Sequence, residues 1–355
     1  MRLRLCTLSA MALLLMACML VTGRPDSEAS PTQTSPSNPP TSTVAIRPSP
    51  TATWPPAEGL SITGSATYDV RNVLTLTNRG PGSVSRLEVT IAAIKTRPPY
   101  QEVISFQAYT EETLPRIVDD YGNEFAYYEF FNIPPWGSVS IELQYRIVVN
   151  ELHYGWRVCE GELIQSFLGG ETYLEVSSPQ IQATLNEIAG GETNLCVLSR
   201  DIYEYVIENM TYNAYNPGDV GASEALQAGG GDCTEFADLS IALHRAGGIP
   251  ANFLEGVTYD PSNDGDVTHD EAKHDWLEAY LPGIGWVPID ATWGRLSMTD
   301  RETYYAGMTD DHIVVTSGRN LATLEGGHFY LWYYWYDQPA TIEDEETWTI
   351  TKVVE

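Results

Sequence analysis

Three residues in the second half of the chain have side chains that together could carry out nucleophilic catalysis. They are Cys233, which follows three glycines and an aspartate, then His274, and then Asp290. A thiolate attacks carbonyl carbons, a histidine can take up and return the proton, and a carboxylate can hold the histidine in the right tautomer. The order of these residues therefore predicts a thiol nucleophile with a general base and an orienting acid.

The residues around Cys233 predict a helix that begins at the nucleophile. Asp232 is a good N-cap residue, Phe236 and Leu243 fall on one helical face, and the glycines at 247–248 end the pattern. The unpaired N–H groups and the positive end of the dipole at a helix start favour a thiolate over a thiol. The same N–H groups can stabilise an oxyanion once the thiolate attacks.

A hairpin must then bring the histidine and the aspartate together. Residues 273–281 and 286–290 alternate like β-strands and are joined by a short turn sequence. Pairing them would place His274 opposite a position within about three residues of Asp290. The same alternation points Asp275 to the face of the strand opposite His274.

These motifs resemble the transglutaminase-like superfamily. The matching stretches are GGGDCTEFADLSIALHRAGGIPA around Cys233, KHDWLEAYLPGIGWVPIDATWG around His274 and Asp290, and MTYNAY upstream. They occur in the family's order within residues 179–320. The resemblance implies an α+β, papain-like fold in which the three residues form a catalytic triad that acts through a thioester.

The resemblance also draws attention to residues around the triad. The family commonly has a small residue after the histidine, where this chain has Asp275. Relatives place an oxyanion donor ahead of the cysteine, and Tyr212 is the candidate here, with a core tyrosine as the alternative. Asp232, Trp276 and Trp286 are candidate cleft residues, and we expect the two tryptophans to wall the cleft rather than touch the chemistry.

The chain divides into four predicted segments. Short alternating runs separated by turn signals predict a small antiparallel β-sandwich over residues 59–155, with a supporting or recognition role. Residues 156–355 are assigned to the transglutaminase-like domain, which we expect to include C-terminal strands. Its aromatic run at 329–335 is predicted to be a closing core strand.

The N-terminal part predicts export. Residues 1–23 have a positive start and a short apolar run that ends in Leu-Met-Ala-Cys, which resembles the lipobox of bacterial lipoproteins, with Cys18 as the lipidated residue. Ordinary signal cleavage and an uncleaved anchor are the alternatives. Residues 24–58 are rich in Pro, Ser and Thr and are predicted to be a disordered tether.

The cysteine count is informative in an exported chain. Apart from Cys18 and a cysteine in the signal segment, three cysteines remain, and three cannot all pair. We hypothesise that Cys159 and Cys196 form a disulfide and that Cys233 stays reduced.

Charge and composition exclude some functions. The formal net charge of −29 argues against nucleic-acid binding and against adhesion to anionic headgroups through protein charge. The acidic loop 260–271 with His269 could cover the cleft or bind calcium, but it lacks EF-hand spacing, and no metal or cofactor is predicted. His312 and His328 rank below His274 as candidate bases.

The sequence therefore predicts an exported cysteine hydrolase or acyltransferase that acts on peptide or amide bonds of a peptide or protein substrate. It would lie outside the cytoplasm, held to the membrane by a lipid anchor or secreted. The alternative is a non-catalytic surface module with the same fold that binds a peptide without cleaving it. The residues alone do not distinguish water from an amine as the group that resolves the thioester.

Overall fold

The computed structural model describes residues 59–110, 112–213 and 218–354. The predicted signal segment 1–23, the predicted lipidation site Cys18 and the predicted linker 24–58 lie outside these residues. Among the described residues, helices and antiparallel sheets are both extensive, and the predicted α+β class is confirmed.

The N-terminal region consists of β-strands whose side chains alternate between the core and the surface. On β1, for example, Tyr68, Val70, Leu74 and Leu76 are buried, while the residues between them are partly exposed or exposed, apart from the buried Asn72. The strands are β1 (Leu60–Asn78), β2 (Val84–Ala93), β3 (Gln101–Ala108), β4 (Leu114–Val118), β5 (Glu124–Ile133) and β6 (Ser138–Tyr154).

The central region begins with helices and continues into a second kind of sheet. Its first elements are α1 (Pro179–Ala189), α2 (Leu195–Asn209), β7 (Thr211–Tyr212), α3 (Ala222–Ala228), β8 (Gly230–Gly231), α4 (Cys233–Ala246), β9 (Ala251–Thr258) and β10 (Val267–Thr268). Then come β11 (Lys273–Leu281), β12 (Gly285–Ile289), α5 (Ala291–Gly294), α6 (Met298–Thr303), β13 (Gly307–Met308) and β14 (His312–Ser317). Two strands follow, β15 (Tyr330–Tyr336) and β16 (Ile342–Lys352).

The strands form three main sheets. Two of them make the sandwich: β10–β16–β1–β6–β13, with β3 also paired to β6, and β15–β2–β5–β4. The third sheet, β12–β11–β9–β14, packs with helices α1 to α6, and we call these elements together the helix–sheet region. In this region α4 contacts both β9 and β11 and is buried on almost every side, so the predicted nucleophile begins a helix fixed in the core.

The last two strands differ from the prediction. We assigned them to the transglutaminase-like domain, but β16 pairs antiparallel with β1, and β15 pairs antiparallel with β2. They complete the sandwich, because a strand with an unpaired edge gains a full ladder of hydrogen bonds there. The aromatic run is likewise not a closing core strand: β15 lies at a sheet edge, and Trp335 is 40% exposed.

The cysteines of the described region have separate roles. Cys159 and Cys196 form a disulfide that ties the segment before α1 to the first turn of α2. Cys233 is free. The disulfide lies at the start of α2 and leaves the thiol at the start of α4 available for chemistry.

Candidate active site

Local sequence places Cys233 at the first position of α4. Asp232 caps the helix by accepting a hydrogen bond from the Thr234 amide at 3.0 Å, and the Glu235 carboxylate accepts one from the Asp232 amide at 3.0 Å. This reciprocal capping box fixes the entry of the chain into the helix. A Cβ at Gly231 would clash with the Glu235 side chain, so the tight approach requires glycine there. Cys233 is a partly buried residue at this rigid corner.

The predicted hairpin brings His274 and Asp290 into direct contact. β11 and β12 pair with Leu277 opposite Ile289, which puts Asp290 just past the end of β12. Nε2 of His274 lies 2.8 Å from Oδ2 of Asp290. The other carboxylate oxygen caps α5 by accepting hydrogen bonds from the Thr292 amide at 2.8 Å and the next amide at 3.0 Å. The carboxylate is therefore held by a helix cap while it holds the histidine.

A second histidine, His312, which we ranked below His274 as a candidate base, shares the same carboxylate. Nε2 of His312 lies 3.4 Å from Oδ2 of Asp290, and its Nδ1 lies 2.7 Å from Oδ1 of Asp311. Burial opposes the charged imidazole, but the hydrogen bonds to Asp290 and Asp311 raise the pKa of His312 to about 9. Burial also opposes ionisation of Asp290, yet the two histidines hold the pKa of that carboxyl well below its usual range. Asp290 is thus an anion between two imidazoles.

The same three residues form the group best suited to a cation among the described residues. One ligand atom each from His274, Asp290 and His312 lies within 4.8 Å of the others. Two nitrogens and a carboxylate oxygen suit Zn²⁺. However, Oδ1 of Asp290 is occupied by the α5 amides and Oδ2 by the histidines, so a cation would have to replace the His274–Asp290 hydrogen bond. The observed contacts favour a hydrogen-bonded network of His274, Asp290 and His312 over a metal site.

Aromatic rings fix the two histidines, and only one of the two predicted tryptophans is among them. Trp276 is buried, stacks on His274 with ring centroids 5.7 Å apart, and meets His312 edge-on at 5.1 Å. Trp293, which the sequence analysis did not select, lies 4.5 Å from the His312 ring. Trp286 instead lies opposite Tyr280 at the far end of the hairpin. That position is six residues from His274, or roughly 20 Å along the strand.

The electrostatic surroundings of Cys233 differ from the expected ones. We predicted that the helix start would favour the thiolate, but burial and then the charges of Asp275 and Asp232 raise the pKa of the Cys233 thiol well above its ordinary value. Asp275, expected on the strand face opposite His274, accepts a hydrogen bond through its carboxylate from the Thr234 hydroxyl at 2.6 Å. Burial and the nearby Glu255 in turn raise the pKa of Asp275 to about 6. The resting nucleophile is therefore a protonated thiol.

Tyr212 lies beside the nucleophile segment. β7 pairs parallel with β8, so Tyr212 is opposite Gly231, two residues before Cys233. Burial, followed by the charges of Cys233 and Asp232, raises the pKa of Tyr212 and keeps its hydroxyl protonated. The side chain is 39% exposed, which excludes the alternative of a core tyrosine. A protonated hydroxyl here can donate a hydrogen bond to an anion that forms near Cys233.

The acidic loop lies on the sandwich. β10, within this loop, pairs with β16, and the exposed His269 is 4.0 Å from Glu345 of the same strand. These contacts attach the loop to a sandwich strand rather than to the cleft. His328 interacts with Glu255 and lies 3.9 Å from Asp219, so it belongs to a charge network apart from the His274–Asp290 pair.

Comparison with known proteins confirms the resemblance to the transglutaminase-like superfamily. The family model described as the transglutaminase-like superfamily matches residues 182–291, which include Cys233, His274 and Asp290. In the solved structure of a proposed cysteine protease from Cytophaga hutchinsonii, a fold similar to this one covers 82% of this chain and 100% of that one. The TM-score is 0.57 and the sequences are 16% identical. The structural likeness shows that the fold is shared.

Two curated relatives match more locally. An uncharacterised protein of Haemophilus influenzae is 28% identical over 125 residues, which is 30% of this chain and 34% of that protein. An uncharacterised protein of Mycobacterium bovis is 25% identical over 178 residues, which is 47% of this chain and 53% of that protein. The chain thus spans about a third to a half of the length of these relatives.

Within residues 59–110, 112–213 and 218–354, no helix is both long and apolar enough to cross a membrane.

Proposed function

We propose that the protein is a cysteine hydrolase of peptide or amide bonds, with Cys233, His274 and Asp290 as its triad. The observation that carries the proposal is the 2.8 Å contact between His274 Nε2 and Asp290. It engages one ring nitrogen and leaves Nδ1 for another partner. β11, which bears His274, packs against α4, which begins with the free thiol. The fold shared with a proposed cysteine protease supports the same chemistry.

The first half of the reaction forms a thioester. As the Cys233 sulfur attacks the carbonyl carbon, its proton passes to Nδ1 of His274, and the imidazolium is stabilised by Asp290. The carbonyl oxygen becomes an oxyanion that the Cys233 amide and the Tyr212 hydroxyl can bind. The C–N bond then breaks, and the leaving amine takes the proton from His274. Because the pKa of Cys233 is raised, proton transfer accompanies attack rather than preceding it.

The second half releases the acyl group. Water gives a proton to His274 and attacks the thioester carbon, the C–S bond breaks, and the sulfur recovers its proton. An amine in place of water would give a new amide by the same steps. We propose water as the acceptor, since a site outside the cell is rich in water and the triad holds no residue that selects an amine.

A second candidate function is supported by the environment of the nucleophile. A thiol whose pKa is raised by burial, Asp275 and Asp232 is less reactive than a thiolate. This observation favours a non-catalytic module that binds a peptide in the same cleft.

Labelling with an electrophilic thiol probe distinguishes the two candidates. We expect Cys233 of the wild-type protein to react at pH 7 faster than a free cysteine, and His274→Ala to slow it at least about tenfold through loss of the base. Cys233→Ala gives the background, and His269→Ala, which alters an exposed histidine on the sandwich, is the matched control. A wild-type rate at or below that of a free cysteine, unchanged in His274→Ala, would support the binding module.

We also propose that the protein acts outside the cytoplasm, anchored through Cys18. The lipobox-like sequence and the tether at 24–58 support this location. The Cys159–Cys196 disulfide also supports it, since such bonds persist in oxidising compartments. Fractionation should find the wild-type protein with the membrane and Cys18→Ala in the soluble fraction. Equal membrane association of both would refute lipid anchoring at this cysteine.

A further inference from the structure

Arg295 differs from most of the described arginines in its charge partners. The chain has 48 acidic and 19 basic residues, and most described arginines are within 4.0 Å of a carboxylate: Arg71, Arg79, Arg86, Arg97, Arg116, Arg146, Arg200, Arg245, Arg301 and Arg319. Among the described residues, Arg157 and Arg295 are the arginines that form no such ion pair. In so acidic a protein, an arginine without a carboxylate is unusual.

Arg295 is positioned by the element that also positions the triad. Asp290 caps the start of the short helix α5, and Arg295 caps its end. The guanidinium carbon lies 4.5 Å from the centre of the Tyr212 ring. Its Nε is buried and has no hydrogen-bond partner in the described part of the chain. The contact with the ring holds the guanidinium in place, and its Nη groups, which form no hydrogen bond among the described residues, remain for a ligand.

Tyr212 connects this guanidinium with the nucleophile. Its strand runs beside Gly231, and the Asn213 amide donates a hydrogen bond to the Gly231 carbonyl at 2.8 Å. The charges of Cys233 and Arg295 both act on the Tyr212 hydroxyl. The Tyr212 ring thus contacts the arginine, while its strand pairs with the segment that leads into Cys233.

We propose that Arg295 binds a carboxylate of the substrate next to the bond that is broken, so that the preferred acyl donor carries an acidic group. This inference rests on the proposed hydrolase function. A planar guanidinium binds a carboxylate through two parallel hydrogen bonds, and Arg295 lacks such a partner within the described protein. Asp232 and Asp275 repel an anion near Cys233, so an acidic group can be accepted only on the Arg295 side of the site.

Two alkylating reagents of nearly the same size test the proposal. Iodoacetate carries a carboxylate and iodoacetamide a neutral amide; with each, a bond forms between sulfur and the methylene carbon, iodide leaves, and the thiol proton goes to His274 or solvent. Alkylation of Cys233 is followed by peptide mass spectrometry, and the ratio of the iodoacetate rate to the iodoacetamide rate is compared among variants. We expect Arg295→Gln to lower this ratio about five- to tenfold.

Two further variants test whether the lowered rate ratio is specific to the guanidinium of Arg295. Arg157→Gln removes the other unpaired arginine, which lies near the start of α2, a helix length of about 22 Å from the Tyr212 end, and it should leave the ratio unchanged. Arg295→Lys keeps the charge but not the paired N–H groups, and we expect a two- to threefold decrease even if the glutamine variant does not fold.

The outcomes distinguish the two proposals. If the ratio is the same in wild type, Arg295→Gln and Arg295→Lys, the role of Arg295 is overturned, whatever the fate of the triad. If His274→Ala leaves both rates unchanged, the hydrolase function fails. The ratio still reports on Arg295 in that case, because an unactivated thiol also reacts with both reagents.

Discussion

The sandwich and the helix–sheet region bury different kinds of side chain. The sandwich core is apolar, with Leu74, Leu87 and Phe125 fully buried. The Glu346 carboxylate, which pairs with Lys273, is buried, but most ion pairs of the sandwich are partly exposed. In one of these, Arg146 and Asp69 are each about half exposed. The sandwich is therefore stabilised mainly by the removal of apolar area from water.

The helix–sheet region has an apolar core as well, but charged groups cross it. Arg319 is 3% exposed and holds the fully buried Asp238 through two contacts of 3.0 and 3.2 Å. Asp290, His274 and His312 are buried in the same region. A buried charge is tolerated only while its partner is present. The buried charged groups of this region therefore make its stability sensitive to single substitutions.

The largest expected effect is a loss of catalysis without a loss of stability. Cys233→Ala should reduce turnover of a peptide substrate selected from a library at least about a thousandfold, because no other group can form the thioester. Its thermal unfolding should be unchanged. In the sandwich, Leu87→Ala should lower the free energy of unfolding by about 2–5 kcal/mol and leave kcat per folded molecule unaltered. Residual turnover in Cys233→Ala would contradict the assignment of the nucleophile.

The next effect compares one ion pair from each region. Arg319→Met leaves Asp238 buried without its partner and should lower the free energy of unfolding by about 3–5 kcal/mol. Arg146→Met, on the sandwich surface, should cost about 1 kcal/mol or less. Urea unfolding of both variants at pH 7 measures the difference. Equal costs would show that the buried pair is not the distinguishing feature of the helix–sheet region.

A smaller effect depends on pH. The pKa of His312 is about 9 in the folded protein and near 6.5 in the unfolded chain. Protonated His312 therefore stabilises the fold fully below about pH 6.5, and this stabilisation is lost as the pH rises toward 9. Between these limits, the free energy of unfolding of the wild type should fall by about 1–3 kcal/mol more than that of His312→Gln. Parallel curves for the two proteins would mean that Asp290 and Asp311 do not hold His312 in its charged form.

The smallest effect concerns salt. Arg71 and Glu142 form a partly exposed pair on the sandwich with a contact of 2.8 Å. Arg71→Gln should cost at most about 1 kcal/mol in low salt, and this cost should shrink in 1 M NaCl because exposed charges are screened. The Arg319→Met penalty should persist in the same salt, and its disappearance would indicate that water reaches the buried pair.

Local signals allowed the nucleophile helix and the hairpin to be predicted. The N-cap aspartate, the apolar face and the closing glycines determine α4 within a few residues of sequence, and the structure has it at Cys233–Ala246. Alternation along two strands and a short turn gave the hairpin, in which Leu277 faces Ile289. These features depend on neighbours in the chain and need no knowledge of the rest of the fold.

Residues that depend on distant packing could not be predicted. The contact of Asp275 with Thr234, next to Cys233, could not be predicted from alternation, because β11 is a central strand buried on both faces and alternation there does not separate a solvent side from a core side. His312 lies near Asp290 because β14 pairs with β9 rather than with a neighbour in sequence. The position of β16 against β1 likewise depends on a pairing across most of the chain.

This last pairing has a consequence for how the protein reaches its folded state. Asn72 on β1 and Glu346 on β16 share a hydrogen bond although they are 274 residues apart. While the chain is being synthesised, β1 emerges long before this partner exists. Contacts of such separation slow folding, because the loop between them must be closed first. The sandwich is thus completed only after the site-bearing region has emerged, and a chain stalled before β16 would expose an unpaired strand edge to proteases and to other chains.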